Sequence, residues 1–231
     1  MKRVAILQSN YIPWKGYFDI IGSVDEFVLY DDMQYTKNDW RNRNKIKTQN
    51  GLQWLTIPVK QESLAQKINE TTVTQANWNV QHWKSLAQNY AKAPHFKAYK
   101  EQFESLYMNA TQTHISEINR YFIDAINAIL GIKTVIRDSR EFVLADGKSE
   151  RLLALCQELG ATTYLSGPAA SDYLDESIFK EAGIHVEWMD YSGYQAYHQL
   201  FPPFEHGVSV LDLIFNEGEN AKNFLKSTGK N

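Results

Sequence analysis

The chain has a single cysteine, Cys156, so no disulfide can form within it, a usage that fits a reducing compartment. Nowhere does it approach the roughly eighteen consecutive apolar residues of a membrane span. Its opening, MKRVAILQSNYIPWKGYF, is broken by Asn10, Trp14 and Lys15 and has no small-residue cleavage site, so it reads as a buried strand and not a signal peptide. A cytoplasmic protein is the expectation. Histidines are few, and His82, His95 and His114 lack metal-ligand spacing. There is no CxxC, HExxH or Gly-x-Ser-x-Gly. No metal is therefore expected, and the cofactor is left open. Neither sign of charge dominates: 24 Lys and Arg against 27 Asp and Glu give a net charge of −3, which argues against a nucleic-acid-binding surface.

Aromatics are plentiful instead, at 13% of 231 residues, enough to supply both core and ligand-stacking surfaces. The apolar runs at 3–8 and 26–31 read as strands, with a short helix between them ending at Gly22. Strand, loop, helix, strand is the start of a parallel βαβ sheet. Residues 40–48 and 53–59 predict a hairpin turning at Asn50-Gly51. A helical stretch then runs from about 80 to 131, with Ile115, Ile118, Phe122, Ile126 and Ile129 on one face and Gly131 as its C-cap. Strands at 132–137, 162–166 and 184–189 alternate with helices at 149–159 and near 173–182, before a last helix at 209–217 capped by Ser209 and Gly218. The predicted fold is α/β: a mainly parallel, Rossmann-like sheet covered on both faces, forming one domain with a hairpin and helical lobe inserted at about 38–131.

Ligands of open α/β sheets bind beyond the carboxyl ends of the parallel strands. Three loops occupy such places: one running from Gln8 through Tyr11, Trp14, Gly16 and Tyr17, one with Asp31, Asp32 and Gln34, and one with Ser166, Gly167 and Ser171. The segment from Lys37 to Lys47 holds five basic residues, both ends included. If 40–48 is extended, Arg41, Arg43, Lys45 and Lys47 share one face and Trp40, Asn42, Asn44 and Ile46 the other. Such a stripe suits a phosphorylated ligand, with Asn42 and Arg43 as direct contacts, or else a charged edge strand that resists aggregation. Gly147-Lys148-Ser149-Glu150-Arg151 opens a helix whose dipole favours an anion, without the glycine spacing of a P-loop. His198, in an aromatic loop, is the candidate base or a structural histidine. Cys156 follows Leu152, Leu153 and Leu155 in an amphipathic helix and reads as packing.

Several of these segments together resemble the WbqC-like protein family: Tyr11-Ile12-Pro13-Trp14-Lys15-Gly16-Tyr17-Phe18, Asp32-Met33-Gln34-Tyr35-Thr36-Lys37, and Trp40-Arg41-Asn42-Arg43-Asn44. Lys148-Ser149-Glu150-Arg151, Tyr164-Leu165-Ser166-Gly167, Tyr173-Leu174-Asp175 and Ser209 to Asn216 agree, so the likeness spans nearly the whole chain. The resemblance implies work in bacterial surface-polysaccharide precursor synthesis, of the O-antigen type. It points to a transferase moving an acyl or aminoacyl group onto an amino sugar or nucleotide sugar. The acyl donor would be bound to a carrier protein or to CoA. In that reading Lys37, Arg43 and Lys148 hold phosphates, Trp14, Tyr17 and Trp40 form stacking walls, and Asp32 or His198 takes the proton of the attacking amine. A more distant likeness is to nucleotidyltransferases with a His-x-Gly-His loop after the first strand. Here Trp14-Lys15-Gly16-Tyr17 keeps the glycine and lacks both histidines, which puts adenylyl transfer in doubt. A nucleotide-dependent ligase and a non-enzymatic scaffold are the alternatives.

Overall fold

A computed structural model describes residues 1–229 of the chain. Its centre is a sheet of five parallel strands, β1 (Arg3–Leu7), β2 (Glu26–Leu29), β7 (Val135–Asp138), β8 (Thr163–Ser166) and β9 (His185–Trp188). Their order is β7-β2-β1-β8-β9. The five regions read as strands in the sequence are thus neighbours in one sheet. Val4, Ala5, Phe27 and Val28 are buried on alternating sides, as a parallel sheet covered on both faces requires. One face carries Ala5, Phe27, Leu29 and Leu165. It packs against α1 (Lys15–Gly22), α4 (Ile115–Leu130) and α7 (Val210–Glu217). The other carries Val4, Ile6, Val28 and Tyr164, under α5 (Ser149–Glu158) and α6 (Glu176–Glu181).

Between β2 and β7 the chain leaves the sheet. It first forms a two-stranded ribbon, β3 (Arg43–Thr48) with β4 (Gly51–Thr56), and a short pair, β5 (Val59–Lys60) with β6 (Thr72–Val73). The helices α2 (Trp78–Tyr90), α3 (Phe96–Met108) and α4 follow. The ribbon turn lies one residue earlier than the Asn50-Gly51 signal suggests. Thr48 pairs with Gly51, so Gln49 and Asn50 form the loop, and Gly51 takes φ 98 as the first residue of the returning strand, a value glycine adopts at little steric cost. α4 follows its periodicity, with Ile118, Phe122 and Ile126 fully buried. Gly131, at φ 73, ends it, with the Ile132 N–H reaching back to Asn127 O at 2.9 Å. The helix expected near 173–182 is present but shorter: α6 covers Glu176–Glu181 under an Asp175 cap, and a separate 3-10 turn at Pro168–Asp172 precedes it. Among the described residues no helix is long and apolar enough to cross a membrane.

Candidate functional site

From β1 the chain runs outward through α1 to β2, and later returns through α5 to β8 on the opposite side of β1. The sheet therefore reverses direction between β1 and β8, and ligands of such sheets bind beyond the strand ends at that reversal. A cavity of about 650 Å³ lies there, over the α5 side of the sheet. Gln8 and Tyr30 border it from the ends of β1 and β2, Ser166 and Gly167 from the end of β8, and Lys148 and Arg151 from the start of α5. Ile6, Leu152 and Tyr164 make its apolar floor, and Tyr173, 54% exposed, stands at its margin.

The polar side chains of this cavity are anchored from behind. The Arg151 Nε–H donates to Ala145 O at 2.7 Å, which fixes the guanidinium without using its terminal nitrogens. Neither Arg151 nor Lys148 forms an ion pair among the described residues. Lys148 is the N-cap residue of α5 and Arg151 lies in its first turn, next in sequence to Glu150, where the helix dipole already concentrates positive charge. Burial raises the Tyr30 hydroxyl above its ordinary range, while the Arg151 guanidinium beside it pulls the other way. Gln8 is held twice: its carbonyl accepts the Tyr17 hydroxyl at 2.9 Å, and its Oε1 accepts from Arg41 Nη2 at 3.2 Å. Arg41 also bonds Asn10 Oδ1. On the far side of this crest burial pushes Asp31 up to about 6, against the Ser9 N–H that donates to it at 2.8 Å and the nearby Arg41.

Of the residues singled out from the sequence, Gln8, Lys148, Ser166 and Gly167 meet at this cavity. Ser171 lies in the adjoining 3-10 turn, its hydroxyl bonded to Pro168 O. The others are elsewhere. Tyr11 is fully buried, sharing hydrogen bonds of 2.9 Å with His82 and with Tyr107 inside the helical lobe; burial lowers His82 to about 4. Trp14 packs on Tyr191 and Tyr194. A Cβ on Gly16 would fall 2.3 Å from the Trp14 ring, so this glycine exists to admit the indole. Lys15 is buried under Tyr194 and Tyr197, donates to Gln195 O at 2.9 Å, and is lowered by burial to about 8. The Trp14 to Tyr17 segment is therefore covered by Tyr191, Tyr194 and Tyr197, and none of its four residues lines the cavity.

Asp32 accepts from Ser139 Oγ at 2.6 Å and Asn69 Nδ2 at 3.2 Å, with Lys67 at 3.6 Å. Gln34 donates to Leu64 O. Asn42 is buried and closes the base of the ribbon, donating to Ile57 O at 2.8 Å and accepting from Tyr35 at 3.0 Å. His198 is exposed near Glu217, whose carboxylate accepts its backbone N–H. The expected four-residue basic face is also divided, because the strand begins only at Arg43. Arg41 turns to Gln8 and Asn10, and Lys47 is buried against Pro203 O. Arg43 lies on Trp54 and bonds Asn38. Lys37, Trp40 and Arg43 are not cavity residues.

Sequence reasoning did not single out Arg151 or Tyr30 as site residues, and it placed Arg41 in the basic stripe and not behind Gln8. The first was detectable, since Lys148 and Arg151 are three apart at a helix start and so share a face. No side chain at the cavity is set up as a covalent nucleophile. Cys156 is buried, its thiol pushed up to about 12. The arrangement binds and orients: an apolar floor for a planar or aliphatic body, and paired cations at a helix N-terminus for an anion.

A model described as the WbqC-like protein family matches residues 8–224. A Mycobacterium tuberculosis protein described as uncharacterized is 51% identical over 227 residues, covering 98% of each chain. No solved structure matches.

Proposed function

Because the chain belongs to the WbqC-like protein family, we propose that it is a transferase of surface-polysaccharide precursor synthesis that holds an activated, phosphate-bearing sugar in the cavity between β1 and β8. One observation carries this reading. Two cations without ion-pair partners stand at the N-terminus of α5, facing an open cavity. At that end of a helix a cation opposes the dipole, so the placement weakens the fold slightly and favours an anionic guest. In this reading the phosphates lie between Lys148, Arg151 and the first N–H groups of α5. Gln8, Ser166 and Gly167 orient the sugar, and Tyr30 and Tyr173 flank it. Transfer is direct between bound partners, with positioning as the main catalytic device. Asp32, outside the wall but next in sequence to its residue Met33 and held by Ser139, Asn69 and Lys67, is the candidate acceptor for the proton of the attacking amine. His198, the other candidate, lies outside the wall and has no neighbour in sequence within it.

A thermal-shift and calorimetric panel of nucleotides, nucleotide sugars and acyl-CoA donors tests this. A nucleotide sugar should bind and raise the melting temperature. Arg151→Ala should weaken it roughly ten- to a hundred-fold, the effect of losing a charge-assisted bidentate pair, and Arg151→Lys should recover little. Binding that is indifferent to Arg151, or a panel with no phosphorylated binder, would sink the reading.

A further inference from the structure

The other basic cluster is separate from the cavity and has its own chemistry. In the ribbon, Lys45 pairs across with Trp54, Arg43 with Thr56 and Lys47 with Leu52, so these side chains share one face, whose Lys47 end is buried against Pro203 O. Asn44, Ile46 and Leu55 point the other way and are buried. The outward face is left half open. Trp40 and Trp54 are each 40% exposed and Leu52 is 43% exposed. The two indoles are 5.4 Å apart, inclined at 41°. The Arg43 guanidinium lies 4.1 Å from the Trp54 ring centre, and the Lys45 ammonium lies 5.1 Å from that of Trp54 and 5.6 Å from that of Trp40.

Lys37, Arg43 and Lys45 form no ion pair among the described residues. The neighbouring carboxylate, Asp39, is turned away: it accepts from the Trp40 N–H and lies 3.7 Å from Arg41. Stacking positions the cations without consuming N–H donors. Arg43 gives part of its fork to Asn38, and the Lys45 ammonium lies over the two indole rings with no ion-pair partner among the described residues. Uncompensated positive charge, fixed on exposed aromatic surface, calls for an anionic partner with faces that stack.

We propose that this ribbon face is a second binding site, distinct from the cavity, for an acidic saccharide chain. Its rings lie on Trp40 and Trp54, and its carboxylates or phosphates meet Lys45 and Arg43. The anionic, stacking character rests on the ribbon alone, and the choice of a saccharide rests on the proposed role in polysaccharide precursors. Single-stranded nucleic acid uses similar surfaces, but the net charge of −3 opposes it. A lipid surface is disfavoured because the ribbon tip, Gln49 and Asn50, is polar and offers nothing to insert.

The test is titration of the full chain with an oligogalacturonate, read by indole fluorescence and calorimetry, beside a neutral maltooligosaccharide, a thymidine oligomer and phosphatidylglycerol vesicles. The acidic saccharide should bind, more weakly as salt is added, and at least about tenfold tighter than the neutral one. Trp54→Ala should weaken it about tenfold. Lys45→Gln should do nearly the same, and Lys45→Arg should restore binding. Trp54→Ala should leave nucleotide-sugar binding intact, and Arg151→Ala should leave oligogalacturonate binding intact, so the two sites fail separately. Tighter binding of the thymidine oligomer or of vesicles would replace the saccharide with that partner. No binding of any probe, with only a lowered melting temperature in Trp54→Ala, would overturn the site and leave the cation–π pairs as protection of the ribbon.

Discussion

α5 and α7 both begin with charged residues, and they use them in opposite ways. In the first turn of α7, Asp212 is buried and accepts from Tyr90 at 2.8 Å, Tyr197 at 2.7 Å and Gln199 at 2.9 Å. An acid there agrees with the helix dipole, and three donors offset the loss of water, although burial still raises its carboxyl. At the start of α5 Lys148 and Arg151 oppose the dipole and, although Glu150 lies between them in sequence, form no ion pair among the described residues; both border a cavity of about 650 Å³. The first cluster is closed by the chain itself, and its energy belongs to folding. The second is open, so its complement has to come from outside.

That contrast makes stability the property to measure. Asp212→Ala should have the largest effect, a loss of about 3–5 kcal/mol in urea unfolding, because it strands Tyr90, Tyr197 and Gln199 in the core. A loss below about 1 kcal/mol would mean that water closes the network. Asp31→Asn comes next and carries a pH signature. The folded state lifts Asp31 from 3.8 to about 6, so it binds a proton more readily than the unfolded chain. Its contribution therefore favours folding at low pH and is lost as pH rises from about 4 to about 6, by up to about 3 kcal/mol. Asparagine keeps an acceptor for the Ser9 N–H, so the variant should be more stable at neutral pH and flatter across that window. An unchanged slope would show that Arg41 already neutralises Asp31. Lys148→Ala should have the smallest effect on folding, within about 0.5 kcal/mol, and with a slight gain if the dipole argument holds. A large loss would mean that Lys148 is structural and that the two helix starts do not differ as described.

The sheet was legible because a parallel strand buried on both faces is written as a continuous apolar run. Val4 to Leu7 and Phe27 to Leu29 can be little else between polar loops. Helix ends at Gly131 and Gly218 were equally plain. Part of the cavity was legible too, since Gln8, Ser166 and Gly167 follow strand ends. The basic stripe was misjudged because strand alternation holds only where a strand exists. Arg41 lies just before β3 and is free to turn toward Gln8, whereas Arg43 and Lys45 lie within β3 and face Trp54.

Local pattern by itself therefore determined the order of strands and helices, the parallel sheet they form and the loops able to meet at its edge. These depend on periodicity and on glycine and proline punctuation, which act between near neighbours in the chain. Only the tertiary structure decided which polar residues find partners. Asp212 meets Tyr90 across 122 positions and Tyr11 meets Tyr107 across 96, while Arg151, held at Nε by Ala145 O, borders an open cavity and forms no ion pair among the described residues. Satisfaction of a buried polar group depends on what packing brings within about 3 Å, and sequence separation carries no record of that distance.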